Sequence, residues 1–385
     1  MPRYEDAMRL CFAALALFCA SQAHGQPAFH STAQIAYLID MSSGTVLLEK
    51  NSKRLMAPAS MTKMMTTYVV FDLIKQGKID PAHKVQVKPE SWRKWERVGS
   101  TMFLKPKQYV SISDLLHGVV TLSGNDAAVV LAEGVSGSEK DFVARMNQTA
   151  RRLGMKDSVF GTANGWPDRR RTVSTAHDMA ILAQRTITDF PDLYPQYYGL
   201  RKFSWNGISQ INRNPILQRV KGADGMKTGH TREAGFCFTG TAARDGRRLV
   251  LVVAGLPSAE ERQKESIRLL DHGFDDWRSV KLFRAGSNVT TLPVQEGVQD
   301  RISVLTPRNF ALSLPVHTPP RYKLVVRYAG PVKAPIKKGS ILAKLVAVFD
   351  DGTTKETALV ASRSIQRAGF WLRTWNGLKN WAIGL

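Results

Sequence analysis

Apolar and polar positions first separate along residues 33–50. AQIAYLID and TVLLEKN are strand-like runs on either side of Ser42, Ser43 and Gly44, and together they predict a hairpin. From Ala57-Pro58-Ala59-Ser60 the spacing becomes helical and runs to about Gln76. Pro58 suits a first helical turn and Gly77 suits the stop. A second helix is expected after Ser113, where Asp114, Leu115, Leu116 and Val119 keep helical spacing. A third covers 126–134, a fourth 139–153 with Gly154 closing it, and a fifth 174–188 capped by Ser174 or Thr175.

After residue 225 the period shortens. GFCFTGTAA and RRLVLVVAGL flank Asp245-Gly246, the dipeptide that favours a tight hairpin turn. Helical spacing returns over 259–274. The expected class is therefore α+β: strands from both ends of this region share one antiparallel sheet, and the helical middle packs against it. From 279 to 364, short β-rich runs such as KLVVRYAG and ILAKLVAVFD alternate with Pro, Gly and Asp-Gly, which predicts a separate small all-β domain.

The two ends of the chain read differently. Arg3 and Arg9 precede the apolar run Leu10 to Ala20, and small residues follow at Ala20, Ser21, Ala23 and Gly25. That order is expected of a secretory signal peptide over 1–25. From Gly369 the chain reads GFWLRTWNGLKNWAIGL. On a helical wheel Phe370, Trp371, Trp375, Leu378, Trp381, Ala382 and Leu385 share one arc of about 140°. Arg363, Arg367, Arg373 and Lys379 accompany it. A C-terminal amphipathic helix over 365–385, lying on an anionic membrane surface, is the expectation, because the segment is too short and interrupted to span.

At 385 residues and 43% hydrophobic, the chain has material for two folded domains. A net charge of +22 implies a polyanionic neighbourhood. The basic residues are spread evenly, with no zinc-finger spacing, RNA-binding signature or Lys/Arg block, so nucleic acid is not the expected partner. Of three cysteines, two lie in the leader. Cys237 alone would remain, as a small core residue with no disulfide.

Three short motifs carry chemistry. In Ser60-Met61-Thr62-Lys63 the serine and lysine share one face of a helix start, so the amine can reach the hydroxyl. A desolvated lysine can take the proton that a serine nucleophile must lose. Ser123-Gly124-Asn125 offers a hydroxyl and an amide ahead of a helix. In Lys227-Thr228-Gly229, followed by His230, the strand sends Lys227 and Gly229 to one face and Thr228 to the other. Glycine there would let a substrate backbone lie close. Each motif alone is common. A Ser-x-x-Lys is usually a solvated helix face, and a Ser-Gly-Asn is usually a turn with a cap.

All three in this order resemble the penicillin-recognising serine enzymes, in which Ser-x-x-Lys, Ser-x-Asn and Lys-Thr-Gly line one cleft. TLSGNDAAVVLAE at 121–133, VSTAHDMAILA at 173–183, NPIL at 214–217 and GADGMKTGHTREAGF at 222–236 are similar to the low-molecular-mass penicillin-binding proteins. Those are D-alanyl-D-alanine carboxypeptidases. The resemblance is close over about 30–278 and looser beyond.

It implies that Ser60 is acylated and Lys63 is its base, with Ser123 completing the proton relay. Asn125 would hold the substrate backbone, and Lys227, Thr228 and Arg262 would meet its terminal carboxylate. Backbone N–H groups of Ser60 and His230 would form the oxyanion hole. The implied partners are peptidoglycan stem peptides, and β-lactam antibiotics as covalent inhibitors. No metal or cofactor is implied, and the expected location is the periplasmic face of the cytoplasmic membrane.

Two positions depart from the resemblance, which leads one to expect a leucine at Trp166 and a histidine at Val173. Both are expected near the cleft rim. A β-lactamase is the nearest rival, but no glutamate is followed as Glu-x-x-Leu-Asn. A non-catalytic wall-binding protein on the same fold is the other.

Overall fold

The computed structural model describes residues 29–369 apart from residue 170. The expected leader and C-terminal helix lie outside the described residues, except for 365–369 of the latter. The chain opens with β1 (Ile35–Asp40) and β2 (Thr45–Lys50), the expected hairpin. A 3-10 turn (Ala59–Thr62) runs into α1 (Lys63–Lys75), followed by β3 (Lys84–Gln86), α2 (Pro89–Trp95) and β4 (Tyr109–Ser111). Then come α3 (Ile112–Val120), α4 (Asn125–Ser136), α5 (Glu139–Leu153), α6 (Ala176–Asp189) and α7 (Leu193–Tyr198). A small hairpin, β5 (Lys202–Trp205) and β6 (Ile208–Ile211), precedes β7 (Ala223–Thr231), β8 (Gly235–Arg244), β9 (Arg247–Leu256) and α8 (Ala259–Asp275).

The sheet order is β2-β1-β9-β8-β7, so strands from both ends of the region share one antiparallel sheet as expected. It is the middle of three layers. Ile35, Tyr37, Ile39, Val250, Val252 and Ala254 join the core under the helices. Their alternates Ala36, Leu38, Leu249, Leu251 and Val253 join a second core with Leu269 and Leu270 of α8. Covering on both faces is why β1 and β9 read as near-continuous apolar runs rather than alternating ones. The β8–β9 turn places Asp245 and Gly246 at φ 52° and 75°, the geometry that Asp-Gly tolerates best.

Helix ends follow side-chain chemistry. Thr175, not Ser174, caps α6 by accepting from Asp178 N; the Ser174 hydroxyl is engaged with Ser158 at 2.8 Å. The second expected helix starts earlier than its apolar spacing suggests. Ser111 caps it through Asp114 N, while the Ser113 hydroxyl meets Tyr197 Oη at 3.0 Å. The hydrophobic pattern did not flag α2, α7 or the β5–β6 hairpin. The hairpin did carry a signal, Asn206-Gly207, with both residues at positive φ.

The rest is all β: β10 (Trp277–Phe283), β11 (Asn288–Gln295), β12 (Arg301–Leu305), β13 (Phe310–Pro315), β14 (Tyr322–Arg327), β15 (Val332–Lys333), β16 (Ile341–Phe349) and β17 (Thr354–Ala361). Its own core includes Ile302, Val304, Leu312, Leu345 and Leu359. A buried ion pair ties it to the first sheet. Arg247 Nε donates to Asp40 Oδ2 at 2.6 Å, and Arg247 Nη1 to the Trp277 carbonyl at 2.6 Å. Ser313 Oγ donates to the same Asp40 oxygen at 2.7 Å.

Candidate active site

The turn 59–62 lies between the helical layer and β7, which is an edge strand. Its outer backbone groups are therefore not used by the sheet. A cavity of about 520 Å³ opens there. Ser60, Ser123, Asn125, Thr228, Gly229, His230 and Arg262 all line it, so the three motifs meet in one cleft.

Lys63 is the first residue of α1 and is completely buried. Its Nζ lies 3.0 Å from Ser60 Oγ, 2.8 Å from Asn125 Oδ1 and 2.6 Å from the Asn164 carbonyl oxygen. Both carbonyl oxygens can only accept, so they take two amine hydrogens. In the neutral amine the remaining lone pair then faces the Ser60 hydroxyl. Burial pushes the Lys63 pKa down to about 7. Asp126 opposes the shift and Arg213 adds to it. The serine is thus paired with an amine that is substantially neutral near neutral pH.

The middle motif is held by its helix. Ser123 adopts φ 62°, a conformation that costs a non-glycine residue about 1–3 kcal/mol. Asn125 opens α4, donates from its backbone N–H to Ser100 O at 2.7 Å and donates from Nδ2 to Val98 O at 2.9 Å. Asp126 next to it accepts from Met102 N at 2.8 Å and from Thr101 Oγ1 at 2.7 Å, which fixes the loop opposite.

In the strand motif the glycine packs on the nucleophile's turn and the lysine is buried. A Cβ on Gly229 would stand 2.7 Å from Pro58 O and 3.2 Å from Ala59 Cβ. The nucleophile's own turn thus approaches the strand closely at this glycine, which also lines the cleft. Lys227 is buried and does not line the cavity; its Nζ donates to the Thr228 carbonyl at 3.1 Å. Desolvation, reinforced by Lys63, Arg213 and Arg262, pushes its pKa well down. His230 is exposed and stacks on Phe236 with centroids 4.0 Å apart. Arg262, in the first turn of α8, extends over Phe236, and its buried Nε has no hydrogen-bond partner among the described residues.

Arg213 was not foreseen. It lines the cleft and donates to Ser100 Oγ, and the asparagine-flanked NRN run around it carried no motif that would single it out. Of the two departures, Trp166 does stand at the cleft. Val173 does not: it pairs with Val159 and lines a neighbouring groove. Among the described residues no group of three or more His, Cys, Asp or Glu side chains could hold a metal ion.

Known proteins match both regions. The family described as D-alanyl-D-alanine carboxypeptidase matches residues 20–258, and the C-terminal domain of penicillin-binding protein 5 matches 277–367. The D-alanyl-D-alanine carboxypeptidase DacA of Haemophilus influenzae is 35% identical, over 90% of this chain and 88% of its own length. DacF of Bacillus subtilis is 33% identical, over 88% and 87%. The crystal structure of penicillin-binding protein 5 from Haemophilus influenzae superposes with a TM-score of 0.84 at 34% identity, covering 89% of this chain and all of that one. Penicillin-binding protein D2 of Listeria monocytogenes, solved in a cefotaxime-bound form, has a TM-score of 0.58 at 30% identity. It covers 65% of this chain and all of its own. The likeness thus spans the region that carries the three motifs and the β region that follows it, and the chain belongs to the D-alanyl-D-alanine carboxypeptidase family of serine-type peptidases.

Proposed function

We propose that this protein removes the terminal D-alanine from peptidoglycan pentapeptides through an acyl-enzyme on Ser60, and that β-lactams acylate the same serine. The observation that carries the reading is the buried Lys63 amine. It sits 3.0 Å from Ser60 Oγ, is fixed by two carbonyl acceptors, and has its pKa drawn down to about 7.

Lys63 takes the hydroxyl proton as Ser60 Oγ attacks the carbonyl carbon of the D-Ala-D-Ala bond. The backbone N–H groups of Ser60 and His230 receive the developing oxyanion. The C–N bond then breaks, and the proton returns, by way of Ser123, to the leaving amine. Water enters, gives up a proton to the same relay and hydrolyses the ester. Asn125 holds the substrate backbone. Thr228, Gly229 and Arg262 receive the end of the peptide, with buried Lys227 beside them, its Nζ on the Thr228 carbonyl. Product analysis on a pentapeptide and on a cross-linked dimer tests this. Release of one D-alanine per pentapeptide is expected, and a protein that leaves the pentapeptide intact would refute it.

The chain organisation belongs to the same proposal. Residues 1–25 direct export, 26–278 are the catalytic domain, 279–364 the all-β domain, and 365–385 an amphipathic anchor on the periplasmic face of the cytoplasmic membrane. The leader's basic, apolar and small order and the one-sided aromatic arc of the tail support it. No helix among the described residues is long and apolar enough to cross a membrane. Truncation before Gly369 should release the protein from anionic vesicles while it still cleaves soluble peptide. Continued pelleting with the vesicles would place the anchor elsewhere.

A further inference from the structure

The cleft has a direction. Thr228, Arg213 and Arg262 are the groups that suit a free carboxylate, and Ser60 is the point of cleavage. A second cavity adjoining the cleft contains none of these carboxylate-binding groups but shares Thr231 and Arg232 with it, which leaves it free for the acyl part of the peptide. Trp166 stands there. Together with Gly165, Pro167, Thr231 and Arg232 it lines both the main cavity and this second one, of about 190 Å³.

The indole is fixed from several sides. Gly165 before it has φ 73°, and a Cβ there would lie 1.9 Å from Ala59 O, so this loop rests directly on the nucleophile's turn. Trp166 N donates to Asn164 Oδ1 at 2.9 Å, and the ring meets Trp95 edge-on at 5.9 Å. A Cβ on Gly99 would touch both the indole and Asn125 Nδ2 at 2.8 Å, which puts the ring beside the amide that would hold the substrate backbone. Even so held, Trp166 remains 41% exposed. A large rigid ring left open beside the reacting serine has a face to offer a substrate.

We propose that the second cavity is the subsite for the third residue of the stem peptide, and that Trp166 determines which side chains it takes. The inference rests on the carboxypeptidase reading above. The residue that forms the ester carries only a methyl group, so the next residue inward has the first side chain able to cross the indole. Beyond Trp166 and Pro167 the cavity is bordered by Asp168, Arg169, Arg232 and Glu233. An apolar wall leading to charged groups of both signs fits a diamino acid, with an aliphatic stem on the ring and an ionised tip beyond it. At about 30 Å³ for each water-sized group, the volume suits the handful of atoms in such a side chain.

The test uses N-acetyl-L-Xaa-D-Ala-D-Ala with three residues at Xaa: alanine, lysine and a diamino acid bearing a second carboxylate. The full-length protein should favour one or both diamino peptides over alanine by about tenfold in kcat/KM, mostly through KM. Trp166→Leu should reduce that ratio to within about threefold, and Trp166→Phe should keep most of it. The pH midpoint for acylation by penicillin should not move in either variant, which separates a lost platform from a disturbed Lys63. The two diamino peptides distinguish a site that reads the ammonium from one that also reads a carboxylate. Release of D-alanine without preference among the three, or an equal loss on all three in Trp166→Leu, would overturn the subsite alone. No release from any would overturn the carboxypeptidase reading and this one with it.

Discussion

Gly229 joins fold and chemistry more directly than any other single position. Replacing it with alanine puts a methyl carbon 2.7 Å from Pro58 O, about 0.7 Å inside ordinary contact, and 3.2 Å from Ala59 Cβ. Both obstacles lie on the turn that carries Ser60, and backbone cannot yield as a flexible side chain does. The strand must therefore move away from the turn by several tenths of an ångström. That separates the N–H of Ser60 from the N–H of His230. Losing one oxyanion donor costs about 10²–10³-fold in rate, and overpacking of this kind costs about 1–3 kcal/mol in stability. Gly229→Ala should therefore stay folded with a lowered melting temperature, and it should acylate with a fluorescent penicillin at least a hundredfold more slowly. Stopped-flow labelling and a thermal melt on the same sample measure both. Acylation within a few-fold of the parent, in a protein with the lowered melting temperature, would refute the proposed coupling.

Further expectations follow from the same geometry. Acylation should rise with pH through about 7, because only the neutral Lys63 amine takes the Ser60 proton. Arg213→Ala removes a charge that lowers the Lys63 pKa, so its midpoint should move to higher pH; an unmoved or lowered midpoint would count against the assignment. Arg262→Ala should slow cleavage of a free-acid peptide while leaving its C-terminal amide at the same low rate. Equal rates on acid and amide in the parent protein would mean the carboxylate is not read. Arg247→Met leaves Asp40 buried without its cation, held only by hydrogen bonds from the Ser313 hydroxyl and the Ser42 N–H, and urea unfolding should record a loss of about 3–5 kcal/mol.

Much of this fold is written locally. The β8–β9 hairpin follows from Asp245-Gly246, and α5 from the Ser138 cap and Gly154, because short-range backbone chemistry alone decides them. The catalytic face was legible for a similar reason: Ser60 and Lys63 are three residues apart on one turn, so their contact needs no tertiary knowledge. Contacts made by remote segments were not legible. Asn164 reaches Lys63 across 101 positions, and the reason for Gly229 depends on the turn at 58–61 being pressed against β7. Arg213 gains its place from the hairpin before it and from Ser100, neither of which a local pattern connects to the serine. Lys227 read as a cleft residue through the resemblance, and strand alternation adds only that it shares a face with Gly229. It does not say what covers that face.

The central claim is that Ser60, activated by Lys63, forms the acyl bond. Intact-protein and peptide mass spectrometry after exposure to benzylpenicillin tests it most directly, run beside an assay for D-alanine release. The account predicts one penicilloyl adduct, located on the peptide containing Ser60. In Ser60→Ala both the adduct and D-alanine release should be absent. An adduct that persists in Ser60→Ala, or one that maps to another residue in the parent protein, would contradict it.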